Sequence, residues 1–173
     1  DTIGFRERDV VLPIVPMFHA NCWGVPYTSA LVGATQVLNG VRPDPEVICR
    51  LIDSEKVTLS LGVPTIWIGV LDHIERSGRD YDFSSLREIV SGGAAVPISL
   101  IQAYKEKLDV NLIQAYGMTE ATPIISYNRS TTGFDSDSDR DKLQLAGTQG
   151  AMVPGLEMRL VDDENNDIPW DGD

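Results

Sequence analysis

Short apolar runs of strand length recur along this chain, each followed by a helix-opening signal, and that alternation constrains the fold more than any single residue does. Val10-Val11-Leu12-Pro13-Ile14-Val15 is apolar throughout, as expected of a strand covered on both faces. Pro13 cannot donate to a ladder, which suggests an edge position or an early bend. His19 to Leu31 reads as a helix and Thr35-Gln36-Val37-Leu38 as a strand. Asp44-Pro45-Glu46 opens a helix to about Glu55, with Asp44 as cap and Pro45 in the first turn. Val57 to Leu61 is the next strand, Pro64 starts a helix to about Ser77, and Ile89-Val90 is a short strand. Pro97 opens a helix to Leu108, and Asn111 to Ala115 is again strand. Such units imply an α/β fold: a mostly parallel sheet, right-handed crossovers and helices on both faces. Ligands of such a sheet gather beyond the carboxyl ends of its strands.

Three segments stand at such ends. Gln114-Ala115-Tyr116-Gly117-Met118-Thr119-Glu120 closes an apolar strand with an aromatic ring, a glycine turn, a hydroxyl and a carboxylate. That set can stack a base, contact a phosphate and hold a magnesium ion; it also reads as an ordinary turn in which Thr-Glu caps the next segment. Ser91-Gly92-Gly93-Ala94-Ala95 is a glycine turn between strand and helix. In Pro16-Met17-Phe18-His19, with Trp23 four residues beyond, His19 and Trp23 fall on one face of the expected helix. A histidine beside apolar residues reads equally as a core residue. Other chemistries fit less well. A nucleophile elbow needs glycine two residues before the serine, and Ser91 has Ile89 there. No Gly-x-Gly-x-x-Gly accompanies the first strand.

In this order and at these distances, the segments resemble the adenylate-forming acyl-CoA synthetases, most of all the medium- and long-chain fatty acyl-CoA ligases. The likeness runs through Asp9 to Leu38, Val57 to Ile68, Ser85 to Pro97, Leu112 to Pro123, and Gly147 to Pro169-Trp170-Asp171-Gly172. It implies an enzyme that activates a fatty acid with ATP and magnesium to an acyl-adenylate and then forms the coenzyme A thioester. Under this resemblance Tyr116 stacks on adenine, Thr119 bonds a phosphate oxygen and Glu120 coordinates magnesium. Gly93, Ala94, Gly117 and Met118 complete the nucleotide site. His19, Trp23, Gly92, Gly93, Val63 and Pro64 line the acyl site, with Trp23 as a gate and Thr65 and Trp67 as further wall. A superfamily member acting on aryl or other short acids, or a non-catalytic nucleotide-binding or scaffolding module, stays open as an alternative.

The resemblance also implies parts that this chain does not carry: a phosphate-cradling loop with a lysine, a ribose-binding aspartate, and a mobile domain with a catalytic lysine. The expectation is therefore the central piece of a larger enzyme, inactive by itself and able to self-associate through uncovered surface. Ser130-Thr131-Thr132-Gly133 lies after the Tyr116–Glu120 segment and reads as polar linker. The 173 residues are enough for one domain that buries about 70% of its unfolded surface. A net charge of −12 argues against nucleic acid and against anionic membrane surfaces. Cys22 and Cys49 lack metal spacing and sit in apolar surroundings, as reduced core thiols of a cytoplasmic protein do. No apolar run reaches the about 18 residues of a membrane span.

Three regions result. Residues 1–128 form the α/β unit carrying both site halves, 129–146 a polar mobile loop, and 147–173 the start of a β-rich subdomain with a hairpin tip at Asp162 to Asn166. His73, among Asp72, Glu75 and Arg76, reads as a surface residue. The Asp135-Asp137-Asp139 spacing lacks the glycine and glutamate of a calcium loop.

Overall fold

A computed structural model of the chain describes residues 3–41, 44–129 and 139–169. Their centre is a seven-stranded sheet of order β2-β1-β3-β4-β5-β6-β7. Strands β1 (Val10–Pro13), β2 (Thr35–Gln36), β3 (Leu59–Gly62), β4 (Glu88–Gly92) and β5 (Leu112–Gly117) run parallel. Strands β6 (Ile124–Tyr127) and β7 (Ala151–Met152) continue the sheet antiparallel.

Alternation along each strand separates two cores. Leu12, Ile89 and Leu112 face helices α3 (Pro45–Ser54), α4 (Pro64–Ser77) and α5 (Ile98–Leu108), where Trp67 and Tyr104 are fully buried with rings edge to face, centroids 6.4 Å apart. Val11, Leu59, Leu61, Val90 and Ala115 face the other way, toward α2 (Val25–Val32) and the Ile3–Phe5 segment. The sheet is thus mostly parallel with helices on both faces. No helix among the described residues is long and apolar enough to cross a membrane.

Local chemistry accounts for the helix boundaries. Val47 N donates to Asp44 Oδ1 at 2.9 Å, so the expected cap forms, and α4 begins at Pro64 where a missing N–H costs nothing. Pro13 does not mark an edge strand, because β1 lies between β2 and β3. It is tolerated because β2 pairs only with Val10 and Val11 and ends before it, while Ile14 N already bonds Leu61 O at 2.9 Å on the other side.

Two further expectations change. His19 to Leu31 is not one helix: α1 (Ala20–Trp23) is a single left-handed turn, with φ of 44°, 52°, 56° and 55° at Ala20, Asn21, Cys22 and Trp23. Left-handed geometry costs L-residues about 1–2 kcal/mol each, so packing must hold it. Cys22, fully buried, donates its thiol to Val15 O at 2.9 Å, and the Trp23 ring packs on Gly92. The loop expected over 129–146 is also interrupted, by α6 (Asp139–Ala146), whose Leu143 and Ala146 pack onto the core beside α5. Residues 130–138, with the linker and with Asp135 and Asp137 of the rejected calcium spacing, lie outside the described residues, as does Trp170-Asp171-Gly172. Beyond α6, β7 joins the main sheet. The tip at Asp162 to Asn166 forms as a turn, with Asp162 N bonded to Asn166 O at 3.0 Å and a bridge between Val161 and Asp167.

Charge is concentrated at the amino ends of the strands. Asp9, 3% exposed, accepts from Arg87 Nε and Nη2 at 3.1 and 3.0 Å, from Thr58 Oγ1 at 2.8 Å and from Arg6 N at 2.8 Å. Burial opposes its ionisation, but these donors outweigh burial and hold the carboxyl below its ordinary range. Glu88, 8% exposed, accepts from Arg129 Nη2 at 2.7 and 2.9 Å. Cys22 and Cys49 are free and buried, and burial pushes the Cys49 thiol up to about 12.

Candidate functional site

At the carboxyl ends of β3, β4 and β5 lies a cavity of about 360 Å³, within the range of small-molecule sites. Its apolar side follows from strand alternation: Leu61, Val90 and Ala115 all point to the face opposite α3–α5. Ile3 and Ile124 close that side. The polar side is the run Tyr116, Gly117, Met118, Thr119 and Glu120, and His19, Ala20 and Trp23 of the α1 turn stand across from it.

The glycines set the spacing. A Cβ at Gly92 would stand 2.8 Å from Ala115 O and 3.4 Å from Trp23 Cη2. Gly93 has φ +81°, a region that favours glycine, and a side chain there would meet Val63 Cγ1 at 3.4 Å. The Trp23 ring therefore rests on the Gly92-Gly93 backbone. A Cβ at Gly117 would collide with Pro123 O at 2.0 Å, because β6 folds back tightly on β5 there. Met118 N to Pro123 O at 2.8 Å, Ala121 N to Met118 O at 3.0 Å and Thr122 N to Thr119 O at 3.2 Å tie down the return through a short 3-10 turn, Thr119–Ala121.

Of the residues singled out from the sequence, His19, Trp23, Gly92, Gly93, Tyr116, Gly117, Met118, Thr119 and Glu120 come together around this one space. Ala94 does not line it: it is exposed on the loop beyond Gly93. Val63 backs Gly93 instead of facing the cavity, and Pro64 is buried at the start of α4. Trp67 is not tunnel wall. Its ring lies on the opposite face, 3.1 Å from where a Gly62 Cβ would be, in the core with Tyr104. Thr65 is exposed on α4 and does not line the cavity, and His73 is half-buried, its Nε2 3.0 Å from Tyr81 Oη.

Sequence reasoning missed Ile3, which reaches the site from far away in the sequence, and Pro123 and Ile124, which the tight return from β5 to β6 brings back onto it. Leu61, Val90 and Ala115 could have been found from period-two alternation about Gly92. Gln114 belongs to the same run as Tyr116 but serves the scaffold. Its side chain faces away from the cavity, and its Oε1 accepts from Val96 N at 2.7 Å, tying the loop after Gly93 to β5.

The polar rim can serve an anion and a cation together. Among the described residues Glu120 is exposed and has no hydrogen-bond or ion-pair partner, and Thr119 offers a neutral hydroxyl beside it. No three His, Cys, Asp or Glu side chains cluster as a metal cage among the described residues. One hard carboxylate oxygen suits magnesium, which commonly takes one or two carboxylates and fills its remaining positions with water and phosphate oxygens. No lysine or arginine lines the cavity among the described residues.

A second cavity, of about 410 Å³, adjoins the first. Ile3, Trp23, Pro123 and Ile124 belong to both, so Trp23 stands between them. Its other walls include Phe5, Val25, Val153 and Leu156.

Comparison with known proteins agrees in sequence and in structure. The profile of the family described as AMP-binding enzyme matches residues 1–173. A long-chain-fatty-acid–CoA ligase of Thermus thermophilus is 42% identical over 172 residues, covering 99% of this chain and 31% of the ligase. A 3-methylmercaptopropionyl-CoA ligase of Ruegeria lacuscaerulensis is 42% identical over 172 residues, covering 99% and 32%. The solved structure of an anthranilate CoA ligase in complex with anthranoyl-AMP superposes with TM-score 0.78 at 29% identity, covering 96% of this chain and 30% of that one. This chain thus spans about a third of the length of the curated relatives it matches.

Proposed function

The chain belongs to the AMP-binding enzyme family, and from that premise we propose that it carries the acyl and adenine side of an ATP-dependent, AMP-forming fatty acid–CoA ligase. The observation that carries this reading is the single cavity joining an apolar wall to the Tyr116–Glu120 rim across Gly92 and Gly93. A carboxylic acid can enter with its tail along Ile3, Leu61, Val90 and Ile124 while its carboxylate reaches the rim.

The acid's carboxylate oxygen attacks the α-phosphorus of ATP, the bond to the β-phosphate oxygen breaks, and pyrophosphate leaves with its electron pair. The thiol of coenzyme A then attacks the acyl carbon, loses its proton and expels AMP, leaving a thioester. In the first step this chain chiefly positions the reactants and stabilises charge. Tyr116 offers a ring face to the base, and the Thr119 hydroxyl donates to a phosphate oxygen. The glycine backbone at 92 and 93 leaves room for the acyl carboxylate, and the neighbouring loop at Ala94 borders the nucleotide. Magnesium, held by Glu120, would neutralise phosphate charge. His19 lines the acyl end, with Val63 and Pro64 supporting the wall behind Gly93. Among the described residues no lysine or arginine lines the cavity, so the rest of the phosphate charge calls for groups other than these.

The reduced state implied by two free buried thiols fits a cytoplasmic enzyme. Exposed Tyr27, Leu31 and Val41 offer apolar surface for self-association or for further parts of the enzyme. Pyrophosphate release by the complete protein, measured across aliphatic, aryl and amino acids, tests the proposal. Aliphatic acids should elicit it. Release with aryl or amino acids alone would transfer the substrate to another acid class, and nucleotide binding without release would favour a scaffold.

Trp23, standing between the two cavities, should govern how much tail fits. Trp23→Ala is expected to shift the acyl-length optimum of the complete enzyme while the KM for ATP changes less than about twofold, since indole removal opens apolar volume only. An unchanged length profile would make Trp23 a packing residue.

A further inference from the structure

The inner walls of both cavities depend on a segment that charged side chains hold from the far end of the strands. Ile3 borders both cavities and Phe5 the second; each is 6% exposed. Neither belongs to a helix or strand, and two arginine side chains hold carbonyls of this segment. Arg129 Nη2 donates to Ile3 O at 2.7 Å, and Arg87 Nη2 donates to Gly4 O at 2.9 Å. Each guanidinium is fixed in turn by a buried carboxylate, Arg129 by Glu88 and Arg87 by Asp9. Arg129 also lies over the Tyr127 ring, its Cζ 5.5 Å from the centroid. Two consecutive carbonyls are therefore gripped by two arginines whose own geometry is set by the sheet.

We propose that Asp9, Arg87, Glu88 and Arg129 form a positioning clamp that sets the Ile3–Phe5 wall and thereby the acyl-length selectivity of the enzyme. This rests on the fatty-acid reading of the cavities given above. None of the four lines either cavity: Asp9 and Glu88 lie at the amino ends of their strands, opposite the Tyr116–Glu120 rim. The fork of an arginine suits this task, because one planar group can satisfy a carboxylate and a carbonyl together.

The test uses the complete enzyme with Arg129→Gln, Ile3→Ala and the double variant. Arg129→Gln keeps an amide donor but loses the charge that pairs with Glu88, and Arg87 Nη1, 3.8 Å from Glu88, leaves a counter-charge in place. The KM for long saturated acids should rise about tenfold, the scale of one charge-assisted hydrogen bond, with little change for short acids or for ATP. Ile3→Ala should distort the length profile directly, and the double variant should add little, because both changes act on one wall. Additive effects, or an unchanged length profile in Arg129→Gln, would overturn the clamp. Should Arg129→Gln fail to fold, Arg129→Lys takes its place in the cycle and is read against the same criteria. Amide hydrogen exchange without ligand gives a readout independent of substrate: residues 3–5 should exchange faster in the variant, and unchanged exchange overturns the clamp. If exchange rises but the wild type uses no aliphatic acid, the selectivity claim falls together with the fatty-acid reading.

Discussion

Glu120→Gln in the complete enzyme is expected to lower adenylate formation by about 10²-fold or more while leaving the melting temperature unchanged. The amide keeps the size and loses the charge. Because the carboxylate is exposed and makes no hydrogen bond or ion pair among the described residues, the fold has nothing to lose. On the proposed function, what is lost is a ligand for magnesium on the reacting phosphates, and removing one transition-state contact of that kind costs about 10²–10³ in rate. The deficit should deepen as magnesium is lowered. Wild-type pyrophosphate release at limiting magnesium would return Glu120 to the turn it occupies, as a residue of the 3-10 segment and nothing more.

Gly117→Ala is expected to damage fold and site together. The added methyl would meet Pro123 O at 2.0 Å and its carbonyl carbon at 2.9 Å, and both are backbone, so no side chain can swing aside. Relief requires β5 and β6 to separate where the rim turns. Overpacking of this severity costs about 3 kcal/mol, which for a domain of this size lowers Tm by roughly 6–12 °C. Fluorescent-nucleotide binding should weaken in parallel, since Tyr116 and Thr119 flank the displaced residue. A melting curve that overlays the wild type would contradict the close approach of these strands.

Local chemistry made much of the fold legible. Pro64 and the apolar period after it mark α4 from its first residue to its last, and Asp44 caps α3 through its own carboxylate. The α1 turn was not legible: nothing in the run from His19 to Leu31 signals a separate left-handed turn before α2, and that turn is held by the buried Cys22 and by the glycines under Trp23. Nor was α6, whose polar sequence presents little to bury until α5 receives Leu143 and Ala146. The rim at Tyr116–Glu120 could be read because its residues are contiguous. Ile124 follows the rim by a few residues and is brought against it by the tight β5–β6 return, whereas Ile3 lies far from the rim in sequence, in a contact that no local pattern encodes. The charged clamp is illegible for the same reason, since Arg129 and Ile3 meet only when the sheet has formed.

The reversal of direction between β5 and β6 divides the cavity into unequal partners. The Tyr116–Glu120 rim is held at both ends by the sheet and stitched across by Met118, Ala121 and Thr122, so it enters every encounter with its shape already set. The opposite side consists of a left-handed turn, tied to Val15 O by the Cys22 thiol, and the Ile3–Phe5 segment, which belongs to no helix or strand and whose Ile3 and Gly4 carbonyls accept from Arg129 and Arg87. A fixed anvil thus faces an adjustable wall. On the proposed function, new acids would be accommodated by re-cutting Ile3, Phe5 or Trp23, while the Tyr116–Glu120 surface stays as it is.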